Sequence, residues 1–311
     1  MRILVFGAGV LGSYLAHALV RGGNDVTILA RGTRAEELQR DGLVIRHYFQ
    51  RKTTIDKVKV TDTLPSDDIY DLIFVVMKFN DFPSVLPILA ENQSRNIVLV
   101  GNNAEAGVMQ TFLQEISAAE KKIVFGFQLS GGRREKGRIL CIRGGGQMVL
   151  GGLDGSVPFR AILEKAFEKA NYKLSFHNDM DTWLKSHIVP ILALNSAVYF
   201  KNGRMKEIAK DKKLIKQMIA AMDEGFKVLE SLGYTVTPAN QATVIRKYKR
   251  LVYLFLIIYH RLPIAQKIDG SFEEIAALHK KFKEWRQTTP ISVPRWDEME
   301  EQFISKFNGR S

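Results

Sequence analysis

The sequence predicts an α/β domain with a doubly wound sheet, followed by an all-helical second domain. In the first half, short continuous apolar runs alternate with helical patterns, as in a parallel sheet covered by helices on both faces. After about residue 178 the pattern is helical, with few strand signals. We therefore predict a nucleotide-binding domain over residues 1–178 and a helical substrate and dimerisation domain over residues 179–311.

The first domain is expected to begin with a strand at 3–6, a glycine turn, a helix over 11–21 and a strand over 25–30. Further strands are predicted where apolar runs meet turn residues, at 72–77, 97–100 and 122–127. This repeated strand–helix–strand order indicates a parallel sheet wound in both directions.

A glycine-rich section follows these strands. We expect strands at 138–143 and 147–150 to pair as a hairpin that closes one edge of the sheet. In the second domain, helical periodicity covers four segments, at 180–200, 206–232, 239–262 and 271–286.

Composition sets the class of protein without choosing its ligand. A chain of 311 residues with 46% hydrophobic and 25% charged residues is typical of a globular protein. The net charge of +12 favours anionic ligands in general, and the basic run at 246–250 is interpreted as a solvated helix face. We therefore expect no nucleic-acid partner.

Cysteine content and hydropathy bear on location. The one cysteine, Cys141, excludes an internal disulfide and a cysteine-rich metal site, and fits a reducing compartment. The most apolar later run, at 251–259, is far shorter than the roughly 20 residues that span a bilayer. A cytoplasmic protein with no membrane partner and no metal is the expectation.

The motif G-x-G-x-x-G stands between the first predicted strand and helix. It predicts a Rossmann-type dinucleotide site, in which the first glycine allows a tight turn, the second admits a pyrophosphate and the third lets helix pack on strand. The helix N-terminus favours the negative diphosphate. The alternative is a glycine-rich turn in an α/β fold that binds no nucleotide. The loop residues expected to bind the cofactor are Gly7, Ala8, Gly9, Val10, Leu11 and Gly12.

The end of the second predicted strand indicates which dinucleotide binds. An NAD enzyme usually places a carboxylate there, but this chain has Arg31 and no acid before Glu36. Arg31 can stack on adenine and bond a 2′-phosphate. NADP(H) is therefore the predicted cofactor, while Arg31 and Arg34 as solvated surface residues remain the alternative.

Further motifs, taken in order along the chain, resemble those of the ketopantoate reductase (2-dehydropantoate 2-reductase) family. Their order and spacing carry the resemblance, which covers essentially the whole chain and indicates a divergent member. The motifs are GAGVLG, Arg31, VVMK ending at Lys78, Gly101-Asn102-Asn103, the turn from Gly132 to Gly137, Trp183-Leu184-Lys185, and Glu274-Ile275 ahead of Pro290 and Pro294.

The resemblance implies NADPH-dependent reduction of a 2-oxo acid to a 2-hydroxy acid without a metal. The leading reaction is conversion of ketopantoate to pantoate in pantothenate biosynthesis. The resemblance implies that Lys185 protonates the nascent alkoxide and that Glu274 faces the substrate and the lysine. It places Asn102 near the nicotinamide and substrate, while Lys78 is assigned to the cofactor. The family's serine before the glutamate is not found at its usual spacing, and the nearby Ser271 is predicted as a substrate contact in its place.

Each assignment has a structural alternative. Lys185 and Glu274 would be ordinary solvated charges, and Asn102 and Asn103 would be turn formers. Which asparagine carries the role stays open. A structural or capping role is expected of His187. The pair Arg133 and Arg134 is expected at the surface of a hairpin.

The chain departs from the family where the substrate's hydroxyl end would bind. The positions four and eight residues after the lysine, which would share its helix face, are Val189 and Ala193 rather than asparagine. Asn195 lies off that face in a regular helix, although Pro190 could make the helix irregular. Besides a 2-oxo acid reductase, two hypotheses therefore stay open: a related hydroxy-acid dehydrogenase, and an NADP(H)-binding sensor that has lost catalysis. A homodimer is possible under each.

Overall fold

A computed structural model describes residues 1–142, 146–267 and 270–308, and its backbone separates into two units, Met1–Asp181 and Thr182–Ser311. The first unit holds all the described strands. They are β1 (Arg2–Phe6), β2 (Asp25–Leu29), β3 (Leu43–His47), β4 (Lys52–Asp56), β5 (Lys59–Thr61), β6 (Leu72–Val76), β7 (Asn96–Val100), β8 (Lys122–Gln128), β9 (Gly132–Glu135), β10 (Arg138–Cys141), β11 (Gly146–Gly151) and β12 (Tyr172–Phe176).

The main sheet has the strand order β12-β11-β8-β7-β6-β1-β2-β5. Its strands from β8 to β5 are parallel to one another, whereas β11 runs antiparallel to β8. Phe6, the last residue of β1, pairs with Leu29 on one side and Val75 on the other, so the carboxyl ends of these strands meet at one edge. Ligands bind outside the carboxyl ends of such sheets.

Helices cover this sheet, and the predicted doubly wound α/β fold is confirmed. The central strand residues Ile3, Leu4 and Val5 have no exposed surface, which explains why they read as a continuous apolar run. The helices of the first unit are α1 (Val10–Arg21), α2 (Thr33–Asp41), α3 (Phe82–Glu91), α4 (Ala106–Ile116) and α5 (Arg160–Phe167).

A second, four-stranded sheet with the order β4-β3-β10-β9 corrects the predicted hairpin. The strand expected at 138–143 pairs antiparallel with β9, because the two-residue turn Lys136-Gly137 joins Glu135 to Arg138 and Gly137 adopts φ +67°. The strand expected at 147–150 lies in the main sheet instead, between β8 and β12. Arg143, the last residue of the predicted strand, lies outside the described residues.

Side chains tie this second sheet to α1, the helix that follows the glycine loop. Asp56, buried at the end of β4, accepts hydrogen bonds from His17 at 2.5 Å and from Arg21 at 2.6 Å. These two contacts hold the carboxyl-terminal half of α1 against the second sheet.

In its described residues the second unit is helical. The predicted segment 206–232 divides at Asp211, whose carboxylate caps the following helix by accepting from the Leu214 amide at 3.0 Å. The segment 239–262 divides at Tyr248, where φ is −113°. The helices are α6 (Met180–Phe200), which begins in the last residues of the first unit, and α7 (Met205–Lys210), α8 (Lys212–Ser231), α9 (Asn240–Lys247), α10 (Lys249–Arg261), α11 (Phe272–Gln287) and α12 (Pro294–Asn308).

The final helix, α12, was not expected from the sequence. It begins at Pro294, a residue suited to a first helical turn, and buries Trp296, Met299 and Phe303. Trp296 stacks on Phe282 of α11 with ring centroids 3.9 Å apart. Across the described helices, none combines the length and apolar character needed to cross a membrane.

Candidate functional site: a dinucleotide loop and a caged lysine

The three glycines of the loop differ in what surrounds them. A Cβ on Gly7, whose φ is +116°, would meet the carbonyl oxygen of Val76, and a Cβ on Gly12 would meet the carbonyl oxygen of Gly7. A Cβ on Gly9 would meet nothing within 4 Å. Two glycines are therefore required by the turn and by helix packing, whereas Gly9 leaves open space at the N-terminus of α1. That is where a diphosphate can approach the backbone.

Arg34 supports the glycine loop through hydrogen bonds of its side chain, which corrects its interpretation as a solvated surface residue. It is only 7% exposed, and its guanidinium donates to the Ala8 carbonyl at 3.2 Å, to the Ser13 hydroxyl at 3.1 Å and to Glu37 at 3.0 Å. Burial lowers the pKa of Arg34, and the hydrogen bond to Glu37 opposes that change. The guanidinium is still protonated at any physiological pH.

A cavity of about 290 Å³ opens beside the loop, at the carboxyl ends of β1 and β2. It suits a phosphorylated dinucleotide because three arginines line it along with the loop backbone. Its lining residues are Phe6, Gly7, Ala8, Gly9, Leu29, Ala30, Arg31, Arg34, Met77 and Arg134.

The two exposed arginines of this cavity come from different elements. Arg31 follows β2, and its Nε donates to the carbonyl oxygen of Asp62 at 3.2 Å. Arg134 reaches the cavity from β9 and pairs with Glu37 at 2.8 Å. No local pattern in the sequence identifies Arg134, because only the pairing of β9 within the second sheet brings it here.

Two other predicted residues lie near strand ends of the main sheet. Lys78 is exposed, two residues beyond β6. Asn103 has no exposed surface, and its Nδ2 donates to the Leu99 carbonyl at 2.9 Å, whereas Asn102 is half-buried. Asn103 thus serves the backbone, and a ligand-facing role for Asn102 stays a prediction.

Lys185 is held in an aromatic cage, defined here as Tyr234 and Trp285. The lysine is 9% exposed, and its Nζ lies 4.9 Å from the Tyr234 ring centroid and 5.7 Å from that of Trp285. A cation at these distances is attracted by the ring quadrupole. The ordinary solvated lysine that the sequence left open is therefore wrong for this position. The cage residues were missed, since each is distant in sequence from the lysine.

The beginning of α11 holds Ser271 and Glu274. Ser271 is the N-cap: its hydroxyl accepts from the Glu274 amide at 3.4 Å and donates to Glu273 at 2.9 Å. Glu274 is half-buried in the first helical turn. The serine thus has a structural task that the spacing S-x-x-E could have indicated.

The face of α6 beyond the lysine belongs to the core. Val189 and Ala193 have no exposed surface, and a Cβ on Gly225 of α8 would lie 2.7 Å from Val189 Cγ1. The helix continues through Pro190. Asn195 donates to the Ile191 carbonyl at 2.8 Å.

Asn195 also lies beside the chain that leads into α11, because a Cβ on Gly270 would be 2.8 Å from its Oδ1. His187 stacks on Trp183 with ring centroids 4.9 Å apart, and burial lowers its pKa to about 4. A neutral imidazole packed on an indole is a structural element.

The chain is similar to known proteins over much of its length. Residues 3–155 match the model of the family described as ketopantoate reductase PanE/ApbA. A 2-dehydropantoate 2-reductase of Archaeoglobus fulgidus is 24% identical over 247 residues, which is 77% of this chain and 78% of the relative.

Two solved structures share the fold. A 2-dehydropantoate 2-reductase from Methylococcus capsulatus has a TM-score of 0.71 at 19% identity, covering 99% of this chain and 97% of the other. A ternary structure of D-mandelate dehydrogenase with NADH and anilino(oxo)acetate has a TM-score of 0.75 at 16% identity, covering 99% of both chains. At these identities the likeness concerns the fold alone.

The fold, the loop and the family match define a class of protein, the NADP(H)-dependent oxidoreductases that interconvert 2-oxo and 2-hydroxy acids. Within that class, residues 3–155 match the ketopantoate reductase family, which is the family that the sequence motifs resemble. The predicted cofactor and enzyme class are thereby confirmed.

Proposed function

We propose that this protein reduces 2-dehydropantoate to pantoate with NADPH, in pantothenate biosynthesis. The observation that carries the proposal is the aromatic cage, which holds the Lys185 ammonium at a fixed place on a chain that also has an open dinucleotide loop. A reductase needs both features, because hydride arrives at the carbonyl carbon while charge develops on its oxygen.

The first unit binds the coenzyme. The amides at the start of α1 take the diphosphate over Gly9, and Arg31 and Arg134 take the 2′-phosphate through charge-assisted hydrogen bonds. Arg34 fixes the conformation of the loop through its hydrogen bonds to Ala8 and Ser13. When bound, NADPH supplies the hydride that the reaction requires. Lys78 and Asn102, near strand ends at the same edge of the sheet, complete the coenzyme site.

The second unit supplies the proton. Lys185 hydrogen-bonds the ketone oxygen and donates its proton to the alkoxide. Tyr234 and Trp285 keep the ammonium at one position, an attraction worth about 1 kcal/mol. Glu274, in the first turn of α11, and the neighbouring Ser271 contribute to the substrate site.

A second candidate function is the reduction of a 2-oxo acid that has an apolar side chain. It is favoured by the burial of Val189 and Ala193, which leaves the lysine's helix face without an amide for a substrate hydroxyl. A hydroxyl that loses such a partner costs roughly 1 kcal/mol. The partly exposed rings of the aromatic cage offer an apolar surface beside the ammonium instead.

The remaining expectations stay proposals: a location in the cytoplasm, a small-molecule substrate without nucleic acid, and a homodimer. The basic run at 246–250 is only partly solvated, because Arg246 pairs with Asp223 at 2.6 Å and with Glu230 at 2.8 Å.

The test is NADPH oxidation, followed by the absorbance of the reduced nicotinamide, against a panel of 2-oxo acids. The panel pairs 2-dehydropantoate with a matched acid in which a methyl group replaces the hydroxymethyl group. A higher kcat/KM for 2-dehydropantoate supports the proposal, and a higher value for the apolar partner supports the second candidate. Tight NADPH binding without oxidation of any oxo acid would overturn both and indicate a sensor.

A further inference from the structure

Glu37, on α2, joins the residue that supports the glycine loop to the second sheet. Its side chain is 14% exposed, and one carboxylate oxygen, Oε2, accepts a hydrogen bond from Arg34 at 3.0 Å and another from Arg134 at 2.8 Å. The other nitrogens of Arg34 donate to the loop carbonyl of Ala8 and to Ser13. A single oxygen atom therefore connects the guanidinium that supports the loop with a guanidinium of β9.

The strand β9 separates Arg134 from its neighbours in sequence. Successive side chains of a strand point to opposite faces, so Arg133 and Glu135 share the face that Arg134 does not. On that face Glu135 pairs with Arg133 at 2.9 Å and with Arg138 of β10 at 2.9 Å. The adjacent carboxylate is thus engaged elsewhere, and Arg134 takes its partner from α2, 97 residues away.

The first residue of β9 lies against the glycine loop. A Cβ on Gly132 would be 3.1 Å from Val10 Cγ1 and closer still to the carbonyl oxygen of Leu140, so the strand passes the loop at a short distance. Arg134, two residues further along, lines the same cavity as the loop. Its side chain is 45% exposed, and the hydrogen bond to Glu37 gives it a fixed position.

Glu37 lies behind the arginines of the coenzyme cavity. Three arginines line that cavity, and none of its described lining residues is acidic. Partial burial would raise the pKa of Glu37, but the hydrogen bonds from Arg34 and Arg134 hold that pKa below its usual value, so the carboxylate is ionised at neutral pH. Three guanidiniums and one carboxylate leave two positive charges, and a phosphate monoester carries close to two negative charges.

A guanidinium that is already fixed binds a phosphate more tightly than a mobile one. An arginine side chain has many rotamers, and ordering such a side chain at the moment of binding weakens a complex about 3- to 10-fold. Glu37 orders Arg134 before the coenzyme arrives. Only a coenzyme that carries the 2′-phosphate benefits from this order.

We propose that Glu37 is a positioning residue that sets the preference for NADPH over NADH, because it holds Arg134 at the place of the 2′-phosphate. The inference rests on the proposed function, in which Arg31 and Arg134 take that phosphate. Glu37 acts through Arg134 and makes no contact with the coenzyme itself. Its hydrogen bond to Arg34 anchors the carboxylate to the support of the loop.

Fluorescence titrations of NADPH and NADH on the full chain test the proposal through a double-mutant cycle. Glu37→Ala should raise the dissociation constant of NADPH about 3- to 10-fold and leave that of NADH unchanged. Arg134→Ala should raise the NADPH constant about 10-fold or more. Adding Glu37→Ala to Arg134→Ala should have no further effect, because the residue through which Glu37 acts is gone. The matched control is Glu36→Ala, since Glu36 is an exposed carboxylate in the same helical turn.

Equal losses for NADPH and NADH in Glu37→Ala, or a loss that persists in the Arg134→Ala background, would overturn the proposal and assign the glutamate to the loop through Arg34. Glu37→Gln keeps the size of the side chain and serves if the alanine variant is unstable. It should weaken NADPH binding about 3-fold, because hydrogen bonds to a neutral acceptor are weaker. Tighter NADPH binding in this variant would show that the carboxylate only repels the phosphate, which also overturns the proposal.

The titrations distinguish this inference from the proposed function because they require no turnover. A wild type that binds NADPH but reduces no 2-oxo acid overturns the proposed reaction and leaves the role of Glu37 to be decided by the cycle. Normal NADPH binding in Arg134→Ala would overturn the place proposed for the 2′-phosphate, and the role of Glu37 with it.

Discussion

The two units build their sites from different materials. In the first unit the coenzyme loop is backbone: three glycines within six residues, one strand before them and one helix after. In the second unit the proposed catalytic site combines side chains from three separate segments: Lys185 from α6, Tyr234 from the chain after α8, and Trp285 from α11. A site made of backbone can be predicted from a short stretch of sequence. A site made of side chains from distant segments exists only once the fold brings them together.

Among substitutions in the glycine loop, the largest effect is expected at its tightest contact. In Gly12→Ala the new methyl group meets the Gly7 carbonyl oxygen, so the loop and α1 must move apart. We expect a loss of roughly 3 kcal/mol in the free energy of unfolding, together with loss of NADPH binding. Denaturant unfolding measures the first, and fluorescence titration of NADPH the second. Unchanged stability would contradict the observed contact.

The same substitution at Gly9 should affect coenzyme binding without affecting stability. A methyl group there meets no protein atom within 4 Å, so stability should stay that of the wild type. NADPH affinity should fall by about 2 kcal/mol, because the diphosphate loses its closest amides. Calorimetric titration measures the affinity, with the melting temperature as control. Normal NADPH binding in Gly9→Ala would show that the open space is not the diphosphate site.

A smaller effect is expected at the 2′-phosphate. Arg31→Ala should weaken NADPH binding by about 1.5 kcal/mol and leave NADH binding unchanged, since NADH lacks the phosphate that the guanidinium bonds. Arg133→Ala is the matched control, because Arg133 neighbours Arg134 on β9 but pairs with Glu135. Equal losses for both coenzymes would assign Arg31 to adenine stacking alone.

The smallest effect belongs to the aromatic cage. Tyr234→Leu should raise the activation free energy of turnover by about 0.5–1 kcal/mol, and so lower kcat, because the ammonium loses one ring that positions it. The affinity for NADPH should stay unchanged. Tyr234→Phe keeps the ring and should restore the wild-type kcat. If the phenylalanine variant is as slow as the leucine variant, the hydroxyl rather than the ring carries the effect.

The strands predicted for the first unit lie within two residues of the observed ones, whereas β3, β4, β5, β9 and β12 were not predicted. The strand at 138–143 was expected to pair with its nearest apolar neighbour in sequence, yet the Lys136-Gly137 turn joins it to β9 on the other side. Local turn chemistry decided the pairing. Arg34 was left open because a charged residue in a helix's first turn gives no sign of burial until the loop folds over it.

The second unit was less predictable than the first, because its helix ends and its site depend on contacts that the local sequence does not show. Helical periodicity located most helices, but the ends at Asp211 and Tyr248 depend on a cap and a kink inside otherwise continuous patterns. Lys185 was identified only through resemblance to a family, since a lysine on a helix carries no signal of its own. Tyr234 and Trp285 were not identified, because nothing in the local sequence links them to the lysine.

The most direct test of the account replaces the caged lysine and measures coenzyme binding and turnover on the same protein. With the 2-oxo acid that the panel selects, Lys185→Ala should lower kcat about 100- to 10,000-fold, as expected when a general acid is removed. Its NADPH affinity, measured by fluorescence titration, should equal that of the wild type, because the loop and its arginines lie in the other unit. A variant that turns over at the wild-type rate would contradict the role assigned to this ammonium.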